Sequence, residues 1–181
     1  MNKINIIDCT LRDGGYYNNW NFPNNLVNEY LKSVSESGIK YVELGFRSLN
    51  KKEFKGPNWY TTDSYIDHLV VPRKLKLGVM VNMSELMLKK LERNKIINKL
   101  FKNKKESKIN FIRIAAHFKE FENALEVCKI LKSKGYIVCI NLMQISEQSK
   151  ENIYLATKKS NIYKPDVLYF ADSLGSMRSN D

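Results

Sequence analysis

Six short apolar runs alternate with longer segments of helical period along this chain, and that alternation narrows the folds open to it more than any other feature. The runs are Ile4–Cys9, Tyr41–Gly45, Leu77–Asn82, Phe111–Ala115, Ile137–Leu142 and Val167–Ala171. They are almost continuously apolar, which predicts strands buried on both faces, as in a parallel sheet. Between them, Leu26–Ser37 sets Leu26, Tyr30, Leu31 and Val34 on one face and stops at Gly38. Ser84–Asn94 carries Leu86, Leu88 and Leu91 behind an N-cap at Ser84. Glu120–Lys134 spaces Phe121, Leu125, Cys128 and Leu131 helically and stops at Gly135, and Ser146–Ser160 offers caps at Ser146 and Ser149. Strand followed by helix, repeated, builds right-handed βαβ units.

One unit is irregular. Arg47–Tyr60 is polar, contains Gly56-Pro57 and reads as a long loop, followed by a short helix near Asp63–Leu69. A long loop at the carboxyl end of a strand is where parallel α/β proteins place function. A doubly wound open sheet fits six strands on number alone, but it wants a glycine-rich turn after the first strand. Here that place is taken by Asp8-Cys9-Thr10-Leu11-Arg12-Asp13-Gly14-Gly15, with charged side chains where bare backbone belongs. The expected fold is therefore α/β, a TIM (β/α)8 barrel truncated after about the sixth strand. Residues 1–181 form one incomplete domain, since eight units take ~250 residues.

Composition excludes several other roles. No apolar run approaches the ~20 residues of a membrane span. The opening Met1-Asn2-Lys3 and Ile4–Ile7 are too short for a secretory signal, so a cytoplasmic protein with no membrane partner is expected. The net charge of +11 raises the question of nucleic acid, yet only six of the 30 basic residues are Arg. The lysines are spread over nearly every element, with one cluster at Lys99, Lys102, Lys104 and Lys105, and read as solvated surface rather than a nucleic-acid face. Cys9, Cys128 and Cys139 show no CxxC spacing and read as reduced, mostly buried thiols.

The densest polar cluster is Asp8, Thr10, Arg12 and Asp13 at the end of the first strand. Strand alternation puts Asp8, Thr10 and Arg12 on one side and turns Asp13 into the Gly14-Gly15 loop. A carboxylate beside a guanidinium is either a structural ion pair or a hard-metal ligand next to a charge that stabilises an oxyanion. Glu43, alone in the apolar strand Tyr41–Gly45, needs a partner if buried, and Arg12 is the obvious one. Arg113 in the fourth run needs an acidic partner or an anionic substrate. Asn141 and Gln144 end the fifth strand, and Asp172 and Ser173 the sixth. Each can serve as a structural hydrogen-bonding group or as a substrate contact. His117 follows the fourth strand at the same edge, His68 lies in a helix, and Trp20 and Trp59 read as loop packing.

Thr10-Leu11-Arg12-Asp13-Gly14 with the later Glu43 resembles the Asp–Arg–Glu signature of the DRE-TIM metallolyases. The strings from Asp8 to Trp20, Leu44–Arg47, Ile112–Ala115, Asn141–Ser146 and Ala171–Gly175 are most similar to the 4-hydroxy-2-oxovalerate aldolase-like branch. They fall at successive strand ends over nearly the whole chain. The resemblance implies a divalent-metal-dependent lyase that cleaves or forms a carbon–carbon bond in a small 2-oxo acid through an enolate. It implies Asp13 as a ligand of Mn²⁺ or Mg²⁺ (Zn²⁺ in some members), Arg12 as the group that stabilises the enolate oxygen, and Glu43 as the residue that orients Arg12. Arg113, His117, Asn141, Asp172 and Ser173 become candidate substrate contacts.

Two departures bear on this. The family's His-x-His metal pair belongs to a seventh strand, beyond Asp181, and His68 and His117 do not form it. Tyr16 stands where the bacterial aldolases carry a catalytic histidine. A tyrosine can hydrogen-bond substrate, but a pKa near ~10 makes it a poor base. Two further readings stay open: a catalytically incomplete barrel that pairs with a copy of itself or with a complementing chain, and a transferase that condenses an acyl-CoA with a 2-oxo acid.

Overall fold

The computed structural model describes residues 4–179, and in it all six runs contribute a strand to one sheet of order β1-β2-β3-β4-β5-β6, every neighbouring pair parallel. The strands are β1 (Ile7–Asp8), β2 (Tyr41–Phe46), β3 (Lys76–Asn82), β4 (Ile109–Ala116), β5 (Ile137–Met143) and β6 (Val167–Ala171). Between them run α1 (Thr10–Asn18), α2 (Asn24–Glu36), α3 (Pro57–Tyr60), α4 (Asp63–Asp67), α5 (Lys90–Leu100), α6 (Phe121–Ser133) and α7 (Lys150–Tyr163). Sequential order without a switch in direction is the topology of a barrel rather than of a doubly wound sheet.

The sheet curls, and one contact demonstrates it. Arg113 Nη1 on β4 lies 3.2 Å from the sulfur of Cys9 at the end of β1. Three strand spacings of roughly 4.8 Å separate those strands in a flat sheet, too far for one arginine to cross. Curling closes the gap.

The outer face of the sheet packs under the helices. Val42, Leu44, Val79, Val81, Ile112, Ile114, Val138, Ile140 and Leu142 are buried against Val27, Leu31, Leu125, Cys128 and Leu131. The inner face is layered, as side chains inside a barrel are. At the bottom the Phe111 ring meets Tyr41 edge-on at 5.9 Å and lies where a side chain on Gly78 would be. Above it come Glu43 and Arg113. At the top Trp20, Phe46, Met80 and Ala115 form a second apolar cluster, with Trp59 and Met143 against it.

A bulge in β2 creates that top layer. Glu43 pairs with Gly78 but Phe46 with Met80, so three steps on β2 match two on β3. The extra residue turns Phe46 inward and Arg47 outward. Arg47 is buried and donates to the Thr61 and Leu100 carbonyls and to Asp63, which ties α4 and α5 to the sheet. Gly45 sits at the bulge because a Cβ there would come within 1.9 Å of the Asn58 carbonyl oxygen.

Some elements differ from the sequence expectation. Only Ile7–Asp8 of the first run is paired, while Ile4 and Ile6 are exposed. Leu86 and Leu88 do not belong to a helix beginning at Ser84. Met83–Leu86 is a tight 3₁₀ turn that buries Met83 and Leu86, and α5 starts only at Lys90, with Leu88 and Leu91 exposed. In α7 the cap is Ser149, whose hydroxyl accepts the Asn152 N–H, and Ser146 lies in a preceding 3₁₀ turn. Among the described residues no helix is long and apolar enough to cross a membrane, and all three cysteines are free.

The packing of Phe111 over Gly78 is testable. A Cβ at Gly78 would lie 2.1 Å from the ring, which is buried and braced by Tyr41. Gly78→Ala should therefore destabilise the protein by about 1–3 kcal/mol through overpacking. The expected reading is a lower urea midpoint with an unchanged denaturant slope.

Candidate active site

The chain turns sharply at the end of β1. The Thr10 N–H donates to Asp8 Oδ1 at 2.9 Å, and the Asp13 N–H donates to the Cys9 carbonyl at 2.9 Å. These bonds start α1 at Thr10, so Asp8, Thr10 and Arg12 do not share the face that strand alternation predicts. Asp8 instead accepts the Tyr30 hydroxyl of α2. Burial works against the Asp8 charge, but the Tyr30 and Thr10 bonds outweigh it and hold the carboxyl below its ordinary value.

Arg12 and Asp13 occupy the first turn of α1, over the carboxyl ends of the strands. Arg12 Nε donates to Glu43 Oε1 at 2.7 Å, and Nη1 donates to Asp13 Oδ1. Glu43 is fully buried and also accepts Arg113 Nη1 on both oxygens, at 3.1 and 3.2 Å. Arg113 Nη2 donates to Asn141 Oδ1 at 3.1 Å, and the guanidinium carbon stands 5.1 Å from the Tyr169 ring centre. One network thus runs from β5 through β4 and β2 to α1. Burial opposes the Arg12 charge, yet Glu43 above all, and Asp13 after it, raise its pKa above the ordinary value. Beside them, burial and then the Glu43 charge push the Cys9 thiol up to about 11.

An aromatic wedge holds α1 in place. Asn19 and Trp20 are both left-handed at φ 57°, an uncommon conformation for two successive residues that bear side chains. It folds the indole back onto Gly15, where Nε1 donates to the Arg12 carbonyl at 2.9 Å. Trp20 then packs against Phe46 and Trp59, and Lys55 covers both indoles and donates to Asn19 Oδ1.

The remaining candidates lie around this network. Tyr16 is two-thirds exposed on α1, edge-on to Trp20, at the rim. His117 opens the turn after β4, its N–H held by Glu120, and lines a cleft with Lys119, Met143, Gln144 and Gln148. Asp172 turns into its own loop and accepts the Met177 N–H at 2.9 Å. That bond leads several amide contacts that hold its carboxyl below the ordinary value despite burial. Ser173 Oγ accepts the Gln144 N–H and ties the β5 and β6 loops together. The structure therefore unites Arg12, Asp13, Glu43, Arg113 and Asn141 and leaves Tyr16, His117, Asp172 and Ser173 outside their network.

Three participants were not expected from sequence. Tyr169 carries its signal in alternation, two residues before Ala171 on the inward face of β6. The Cys9 contact depends on curl, and the Trp20 wedge on a backbone turn, and neither has a local pattern.

As a cation ligand Asp13 has suitable chemistry, a half-exposed hard oxygen donor at the mouth. Among the described residues, however, no three His, Cys, Asp or Glu side chains converge as a metal site. These residues supply one ligand and not a full set.

Two measurements probe the network. Glu43→Gln removes the buried carboxylate that Arg12 and Arg113 share. It should cost about 3–5 kcal/mol, read by urea denaturation at neutral pH. Asp8 has a lowered folded-state pKa, so its contribution is present above the unfolded value near ~3.9 and is lost as pH falls through the folded one. Wild-type stability should fall more steeply in acid than that of Asp8→Asn.

No family model matches the chain, but individual proteins do. It is 23% identical over 178 residues to an oxaloacetate decarboxylase of Mycobacterium tuberculosis, covering 97% of this chain and 50% of that protein. It is 22% identical over 179 residues to a 4-hydroxy-2-oxovalerate aldolase of Geobacillus genomosp. 3, covering 98% and 51%. Among solved structures it superposes on the N-terminal domain of a protein provisionally assigned as an aldolase from Bacteroides vulgatus. The TM-score there is 0.82 at 30% identity, over 96% of this chain and 56% of that one. The chain spans about half the length of the curated relatives it matches. In motif order, in strand order and by these likenesses the chain is similar to the first six βα units of the DRE-TIM metallolyase barrel.

Proposed function

We propose that this chain carries the anion-stabilising half of a divalent-metal-dependent carbon–carbon lyase that acts on a small 2-oxo acid. The observation that supports it is the Arg12 guanidinium, fixed on Glu43 at 2.7 Å with Asp13 beside it, at the carboxyl ends of parallel strands. Aldol cleavage of a 4-hydroxy-2-oxo acid breaks the bond between C3 and C4. Its electron pair moves through C3 to the C2 oxygen, and the 4-hydroxyl proton leaves to a base at the open mouth. Decarboxylation of oxaloacetate likewise breaks the C3–C4 bond, with CO₂ as the leaving group, and places the electron pair on the same oxygen. One oxyanion site serves both reactions, which accounts for relatives of both names.

In this reading Arg12 meets the developing charge. Its Nε and Nη1 are engaged by carboxylates, and Nη2 donates to neither. Asp13 would be a ligand of Mn²⁺, Mg²⁺ or Zn²⁺, with further ligands supplied from outside the described residues. When bound, such an ion polarises the 2-oxo group. Tyr16 at the rim donates a hydrogen bond to substrate rather than taking a proton. Condensation of an acyl-CoA with a 2-oxo acid would use the same oxyanion site.

A second reading rests on the sheet edges. β6 pairs only with β5, and Val167, Leu174, Tyr154, Leu155 and Ile162 near that side are exposed. In it the chain associates, with a copy of itself or with a complementing chain, to close the barrel.

The test is pyruvate release from oxaloacetate and from 4-hydroxy-2-oxo acids with Mn²⁺ present. Arg12→Ala should lower turnover about 10²–10³-fold, the usual loss of one oxyanion donor. Asp13→Asn should abolish Mn²⁺ binding in calorimetry. Undiminished turnover in Arg12→Ala would sink the assignment.

A further inference from the structure

Arg113 is buried, and both of its terminal nitrogens are engaged. Its side chain is 10% exposed. Nη1 bridges both oxygens of Glu43 and touches the Cys9 sulfur, Nη2 donates to Asn141, and the Tyr169 ring lies 5.1 Å from the guanidinium carbon. Nε is buried without a partner among the described residues. Both terminal nitrogens are thus taken by protein acceptors.

What Arg113 does control is the second oxygen of Glu43. A carboxylate left alone with an arginine favours the two-bond fork, in which Nε and the neighbouring Nη2 take one oxygen each. Arg12 does not do this. Its Nε takes Oε1, its Nη1 turns to Asp13, and Oε2 is held by Arg113. We propose that Arg113 is a positioning residue that occupies Oε2 of Glu43 and thereby keeps Nη2 of Arg12 free for the oxyanion. Asn141 supports it by fixing the far end of the guanidinium. The inference rests on the lyase reading for its catalytic consequence but not for its geometry.

Arg113→Met removes the competitor at similar volume. Its crystal structure should show Arg12 forked on Glu43, with Nη2 within hydrogen-bond distance of Oε2. In the pyruvate-release assay kcat should fall about 100-fold, as for loss of an oxyanion donor, while KM stays within about threefold. Asn141→Ala should shift kcat in the same direction by a smaller factor, and Arg113→Leu serves if the methionine variant does not fold. An Arg12 that keeps its single bond to Glu43 in the Arg113 variant overturns the proposal. So does a raised KM with unchanged kcat, the signature of a lost substrate contact. If the wild type releases no pyruvate, the lyase reading falls, and the position of Nη2 in the variant structures still decides this one.

Discussion

A single buried carboxylate, Glu43, organises the interior of this half of a barrel. With no exposure to solvent, its charge must be met by protein groups, and two guanidinium groups from different elements meet it. Arg12 reaches it from α1 and Arg113 from β4, so one residue binds the first strand's helix to the middle of the sheet. The curl that brings Cys9 to Arg113 and the ion pair that brings Arg12 to Glu43 are the same closure seen at two atoms. The layers above and below, Trp20 with Phe46 and Tyr41 with Phe111, set apolar surface on either side of Glu43 and Arg113.

Much of this was legible in the sequence because it depends on period and burial. Strand candidates were visible as apolar runs, and α2 and α6 as helical stripes ended by Gly38 and Gly135. The pairing of Glu43 with Arg12 followed from the cost of burying an isolated acid. Arg113 left two options open, an acidic partner or an anionic substrate, and the structure supplies the partner. What escaped depends on geometry between elements. α1 was hidden because Thr10–Asn18 contains two glycines and little apolar stripe, and its position comes from Asp8 capping the turn and Trp20 wedging beneath it. The start of α5 was misplaced because Leu86, Leu88 and Leu91 suggest one face, whereas only Leu86 is buried.

The candidate site was less legible than the fold. Residue type left Asp172 and Ser173 open between structural hydrogen bonding and substrate contact, and both make hydrogen bonds in the loops beside β6. Tyr169, which no motif marks, stands directly against Arg113. Sequence pattern reports which residues reach the functional edge. Which of them converge is decided by curl, by helix entry angle and by a bulge.

The bulge in β2 has a consequence for how this protein can vary. Phe46 faces inward and Arg47 outward only because the strand carries one residue more than its neighbour between Glu43 and Phe46. A substitution there alters one side chain, but a change of length by one residue inverts the parity of everything after it. Phe46 would leave the aromatic wedge, and Arg47 would be driven into the barrel, stripped of its carbonyl partners on Thr61 and Leu100. The number of residues in this strand is thus as tightly constrained as the identities of Glu43 and Gly45 within it.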